Sequence, residues 1–251
     1  MNRTLTRIVA LVVGLLLAGP VSTSSAALMV DMGPTDNNAQ QSGFVLWNAG
    51  TDGTNIAANN DLTGVSRTFT NAETGFGGFT ATVTTNVDIR VRTTSTATGT
   101  YANLGRDAFK QSAVSNWDGT GTPSTANATL VLQFTGLTAG LYDMSSFHHD
   151  AGNVLRNFAL YVTDVQGTNR QLFANQVPTT GYAINSIANP AYQIQSDGTN
   201  PVTLYFHVRT GTASNEIWLN GFTLSIIPEP ASMALLGLGG LLILPRRKRV
   251  S

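Results

Sequence analysis

Between Leu28 and Ile227 apolar positions recur every second residue rather than every third or fourth. In Val202 to Arg209, Val202, Leu204, Phe206 and Val208 point one way and Thr203, Tyr205, His207 and Arg209 the other. Leu130, Leu132 and Phe134 alternate with Thr129, Val131 and Gln133. Phe158, Leu160 and Val162 do the same with Ala159, Tyr161 and Thr163. A period of two is the mark of half-buried strands. Further strands are predicted over 28–32, 43–47, 65–70, 79–85, 87–93, 141–147, 191–196 and 217–227. Turn chemistry separates them, as in Thr51-Asp52-Gly53, Gly77-Gly78 and Ser196-Asp197-Gly198-Thr199-Asn200-Pro201. Only Leu104 to Val114 has helical spacing. About ten short strands, one short helix and no fixed repeat predict an all-β protein, an antiparallel β-sandwich of jelly-roll type.

Composition narrows the function. The chain of 251 residues has 34 threonines, no cysteine and a formal net charge of zero. Without cysteine there is no disulfide framework and no catalytic thiol. The zero is a sum over unlike parts, because residues 28–227 hold eight basic and thirteen acidic side chains, a net of −5. An acidic middle without a basic patch argues against nucleic acid as a partner.

The two ends have a different pattern. Arg3 and Arg7 precede an apolar run from Ile8 to Ala18, then Pro20 and a small-residue stretch at Ser24-Ser25-Ala26-Ala27. This reads as a signal peptide over 1–27, with a run too short to span a bilayer. At the other end Pro228-Glu229-Pro230 precedes an apolar segment, 231–244, and the cluster Arg246, Arg247, Lys248 and Arg249. Fourteen residues make a helix of ~21 Å against a hydrocarbon core of ~30 Å, so a short transmembrane helix is expected, its basic end on the cytoplasmic side. Residues 28–227 form the extracytoplasmic domain between these signals.

The tripartite tail at 228–251 resembles the PEP-CTERM sorting signal of Gram-negative bacteria that make extracellular polysaccharide. The resemblance implies recognition of Pro228, Glu229 and Pro230 by a membrane-embedded exosortase after signal peptidase has acted at the other end. It also implies a transient stay in the inner membrane, then transfer to the cell surface or extracellular matrix. A second resemblance rests on Leu130-x-Leu132-x-Phe134-Thr135-Gly136-Leu137-Thr138-Ala139-Gly140-x-Tyr142, Phe147-His148-His149-Asp150, Ser196-Asp197-Gly198-Thr199-Asn200-Pro201-Val202 and Leu219-Asn220-Gly221-Phe222-x-Leu224. These residues are similar to galactose-binding-like and malectin-like sandwich modules of secreted proteins. That likeness implies a carbohydrate ligand.

Candidate chemistry is sparse. His148, His149 and Asp150 form the most reactive-looking cluster, but neighbours on a strand face opposite ways and do not readily share one metal. His148 shares the parity of Tyr142 and Met144 and is expected at the core rim, leaving His149 to face solvent or a ligand. Trp117 beside Asp118 offers a platform for a sugar ring, with His149, Asp150, Asn153 and Arg156 as convergent polar groups. Trp47 and Trp218 lie in predicted strands and read as core. No metal site is expected from the histidines. Calcium through Asp31, Asp36, Asn37 and Asn38, or through Asp52 and Asn55, is weighed against plain Asx turns. A glycosidase would need two carboxylates, and Glu73 and Glu216 are the only glutamates outside the tail. There is no Gly-x-Ser-x-Gly elbow and no His-Glu-x-x-His.

The expectation is a secreted, surface-sorted, non-catalytic protein that binds extracellular polysaccharide. The alternatives are a structural matrix protein that contacts other surface proteins and, behind it, a polysaccharide-active enzyme.

Overall fold

A computed structural model describes residues 26–35, 40–50, 55–57, 64–84, 89–93, 103–104, 107–112, 130–149, 158–176, 189–208 and 216–228. The signal segment up to residue 25, the tail from Glu229 onward and residues 94–102 and 113–129 lie outside them.

The strands are β1 (Ala27–Gly33), β2 (Val45–Asn48), β3 (Asn55–Ala57), β4 (Val65–Phe69), β5 (Phe79–Thr84), β6 (Ile89–Thr93), β7 (Asp107–Ser112) and β8 (Leu130–Thr135). They continue with β9 (Gly140–Phe147), β10 (Phe158–Asp164), β11 (Gly167–Gln176), β12 (Ala191–Ser196), β13 (Val202–Val208), β14 (Glu216–Leu219) and β15 (Gly221–Ile226). One helical turn, α1 (Asn71–Thr74), interrupts them. The first sheet runs β12-β9-β15-β1-β2, the second β11-β10-β13-β8-β5-β4 and the third β14-β7-β6-β3. Pairing is antiparallel except between β1 and β2, which run parallel.

The fold is the all-β sandwich that the alternation predicts. Inward residues of the first sheet (Leu28, Val30, Tyr142, Met144, Ile194, Phe222 and Leu224) meet those of the second (Phe69, Phe79, Leu132, Phe134, Leu160, Leu204 and Phe206) in one buried core. Phe222 lies 5.5 Å from Phe134 and 6.3 Å from Phe69, edge-on in both cases, so the two sheets interlock through aromatic rings. Trp47, fully within this core, packs edge-on to Phe69 at 6.0 Å and to Phe109 at 5.4 Å.

The helix expected over Leu104–Val114 is not there. Asp107–Ser112 is β7, flanked by β6 and β14. Leu104, Ala108 and Phe109 have helical spacing, but Phe109 pairs with Val91 on one side and Leu219 on the other. Two flanking strands satisfy the backbone of β7 and outweigh a weak local preference. The helical turn that does form follows Thr70, where the carboxylate of Glu73 accepts the Thr70 N–H at 2.8 Å. This is the reciprocal half of a capping box, a Thr-x-x-Glu signal legible in the sequence. Arg67 adds an ion pair to Glu73 at 2.6 Å.

Three local devices hold the layers together. Tyr142 donates its hydroxyl to the carbonyl of Thr138 at 2.7 Å, closing the Gly136–Gly140 turn with a bond four residues back. Asp164 accepts from Gln195 N at 3.0 Å and from Arg170 at 2.8 Å, and Arg170 also donates to the carbonyl of Gln193 at 3.2 Å. That clasp ties the β12 edge of the first sheet to the β10–β11 hairpin of the second. Asn220, between β14 and β15, accepts the N–H of His149 at 2.6 Å on its side chain and that of Met32 at 2.9 Å on its carbonyl. Its own N–H reaches the carbonyl of Phe147 at 2.9 Å. Next to it, a Cβ on Gly221 would sit 2.1 Å from the carbonyl oxygen of Val30, so only glycine fits there.

Candidate functional site

β9 carries chemistry on both of its sides. On the inner side Ser146 and His148 follow Tyr142 and Met144, and all four are buried. His148 Nδ1 lies 2.7 Å from the carbonyl oxygen of Trp218, which can only accept, so Nδ1 holds the proton. Nε2, 2.8 Å from Ser146 Oγ, therefore accepts the serine hydroxyl. Rings of Phe158 at 4.5 Å and Phe206 at 5.3 Å enclose the imidazole. Burial drives its pKa down to about 4, against a partial offset from the Trp218 carbonyl. The distance is that of a nucleophile and its base, but both groups are sealed in the core, and no substrate reaches a serine with no exposed surface.

His149, expected to face solvent or a ligand, does not face solvent. It is 2% exposed, because the Asn220 side chain draws its backbone into the junction between the first and third sheets. Its expected companions Trp117, Asp118, Asp150, Asn153 and Arg156 lie outside the described residues. Trp47 and Trp218 are buried, as their strand positions predict. His207 is buried on the outer side of the second sheet, edge-on to Tyr161 at 5.7 Å, and so does not converge with the inward His148. Among the described residues no three potential ligands gather around one metal position.

Of the calcium candidates, only the side chain of Asp31 falls among the described residues. Asp31 is buried, accepts the N–H of Gln41 at 2.7 Å, and has its pKa raised to about 6 by burial. Asp36, Asn37, Asn38 and Asp52 lie outside the described residues. Of the two glutamates weighed for hydrolysis, Glu73 is occupied as a helix cap. The Thr70 N–H holds its carboxyl below the usual range, the opposite of what a general acid needs.

The outer side of β9 is open. Asp143 pairs across the sheet with Gln193 of β12 and Ser225 of β15, and Ser145 pairs with Ala191 and Thr223. Together they line a groove of about 270 Å³ on the outer face of the first sheet. Gln193 Nε2 donates to Asp143 Oδ1 at 3.0 Å, which sets both side chains over the groove. Three hydroxyls, one amide and one carboxylate thus share a shallow channel floored by Ala191 and strand backbone. A carboxylate accepts both protons of a vicinal diol, and serine and threonine hydroxyls donate or accept as required. The signal for this site was present in the parity of Asp143 and Ser145 with Ala191 and Gln193, outward positions that are polar or small, but such residues also mark any solvated sheet face.

At the end of β15, Ile227 N donates to the carbonyl of Leu141 at 2.8 Å, and Pro228 beyond it is exposed. Glu229, Pro230 and Arg246, Arg247, Lys248 and Arg249 lie outside the described residues.

No known protein-family profile matches the chain. No curated protein is similar to it in sequence. Solved structures are similar to it at low scores. The ANX2 ectodomain from Arabidopsis thaliana matches with 16% identity over 81% of this chain and 50% of that one, at a TM-score of 0.42. A β-glucuronidase from Bacteroides uniformis matches with 12% identity over 80% of this chain and 18% of that one, at 0.41. A family 35 carbohydrate binding module from Clostridium thermocellum matches with 7% identity over 64% of this chain and 97% of that one, at 0.33. At such scores none of them decides a ligand, an activity or a site.

Proposed function

We propose that this chain is a secreted, surface-sorted and non-catalytic protein of an extracellular polysaccharide matrix, whose sandwich binds carbohydrate. The observation that carries the reading is the open groove at Asp143 and Gln193, where a fixed amide–carboxylate pair stands among the hydroxyls of Ser145, Thr223 and Ser225. Its polar groups suit sugar diols, and the one carboxylate, together with the net −5 of residues 28–227, favours a neutral glycan over an anionic one. The sorting half of the reading rests on the tail sequence and on Pro228 leaving the sheet as an exposed residue directly ahead of Glu229 and Pro230.

Affinity electrophoresis of the mature chain against neutral and anionic polysaccharides tests the binding half. Retardation by a neutral glycan, lost in Asp143→Ala/Gln193→Ala, is the expected result. Retardation unchanged in that variant removes the groove. Absence of retardation by every glycan leaves the structural matrix protein as the better reading. For the sorting half, Glu229→Ala in the native host should accumulate as unprocessed precursor in the inner membrane, and normal export would end the exosortase reading.

A further inference from the structure

Both chain exits lie at one end of the sandwich. β1 begins and β15 finishes side by side, with Ala27 paired to Ser225. Across the same level, Ile227 bonds Leu141, Leu141 pairs with Gln195, and Val165 N donates to the carbonyl of Gln195 at 3.3 Å. The turns after β8, β10 and β12 therefore share this end with the exit to the tail. The described residues that flank the segments of Trp117 and Asp150, among them His149, Phe158 and Leu130, lie at the other end. So does Asn189, exposed just ahead of β12, whose first residue Ala191 pairs with Ser145.

The apolar segment begins at residue 231, three positions after Pro228. Three extended residues span about 10 Å. A domain on so short a tether has no room to stand off from the bilayer that holds the segment. The surface it turns toward that bilayer is suited to it. Val165, 52% exposed, is the one large hydrophobic side chain exposed among the described residues. Ala27, Ala139, Pro201 and Pro228 are exposed around the same end. Of the acidic groups there, Asp143 accepts from Gln193 at 3.0 Å and Glu73 is paired with Arg67 at 2.6 Å. Asp164 is clasped by Arg170, and Asp197 accepts Thr199 N at 2.8 Å, Asn200 N at 2.7 Å and Asn200 Nδ2 at 2.6 Å.

We infer that in the tail-anchored precursor this end of the sandwich rests on a zwitterionic lipid headgroup layer, with Val165 in the interface and the opposite end directed away from the membrane. The inference rests on the anchoring role given above to residues 231–244. An exposed valine with few net charges around it gains from the interface, while the carboxylate of Asp197 disfavours an anionic one.

The chain has no cysteine, so single positions can be labelled. Full-length precursor carrying Val165→Cys, Thr199→Cys or, at the opposite end, Asn189→Cys is reconstituted in phosphatidylethanolamine vesicles that contain a headgroup nitroxide quencher. A fluorophore at 165 or 199 should be quenched at least twofold more than one at 189. Equal quenching at all three positions in protein that co-floats with the vesicles overturns the inference alone. Protein that does not co-float overturns the anchor and the inference together.

Discussion

Ser146 and His148 face into the core, while Asp143 and Ser145, on the same eight-residue strand or its immediate continuation, face out of it. The inward pair has the composition and the 2.8 Å contact that chemistry needs, and no access. The outward pair has access and, with Gln193, Thr223 and Ser225 beside it, only neutral hydroxyls, an amide and one carboxylate. A shift of one residue in strand parity separates the two outcomes. For a sandwich, reactive residue types are therefore a poorer guide to the site than the side of the sheet on which they fall.

The contrast breaks most visibly on the inner side. His148→Ala removes the ring's bonds to the Trp218 carbonyl and the Ser146 hydroxyl and opens a cavity, and should cost about 3 kcal/mol in a denaturant titration. The folded fraction should bind glycan as before. The histidine also sets a pH response. Its folded pKa is depressed from 6.5 to about 4 by burial, so the stability it contributes is present above 6.5 and lost as pH falls towards 4.

A second change sharpens the comparison within the outer face. Asp31 sits opposite Gly221 in the row that Phe147 begins, beside the buried cluster of Phe44, Leu104 and Phe147. Its raised pKa means that its contribution is present below 3.8 and lost as pH rises through about 6. Between pH 4 and 6 this slope opposes that of His148. Asp31→Asn should stabilise the domain by about 2 kcal/mol at pH 7.5 and expose the His148 slope, so that thermal stability rises steadily from pH 4 to 6.5. A flat profile in that variant would contradict the account of both groups.

The smallest effects belong to the groove. Asp143→Ala should weaken glycan binding about tenfold, and Ser145→Ala about threefold, with stability in each case within ~0.5 kcal/mol of the parent. Melting curves and binding isotherms on the same samples separate these losses from unfolding.

Much of the fold was legible because alternation is a local signal. Val202–Val208, Leu130–Thr135 and Ala191–Ser196 fall within a residue of the predicted strands. β7 was not, since its strand state comes from Val91 and Leu219, distant in sequence. The predicted strand over 217–227 is two strands broken at Asn220, whose role as a three-way tie depends on partners at Met32, Phe147 and His149. The inward position of His148 followed from parity with Tyr142 and Met144. The burial of His149 did not, because its N–H donates to the side chain of Asn220, 71 residues away. The groove needed three strands in register before its polar positions became a site rather than a solvated face.

The most direct test pairs Asp143→Ala with His148→Ala and measures both stability and binding to the retarding neutral polysaccharide. The account predicts a crossed result. Asp143→Ala keeps its melting temperature and loses about tenfold in affinity, while His148→Ala loses stability and keeps its affinity when corrected for the folded fraction. Binding lost in His148→Ala and retained in Asp143→Ala would contradict it.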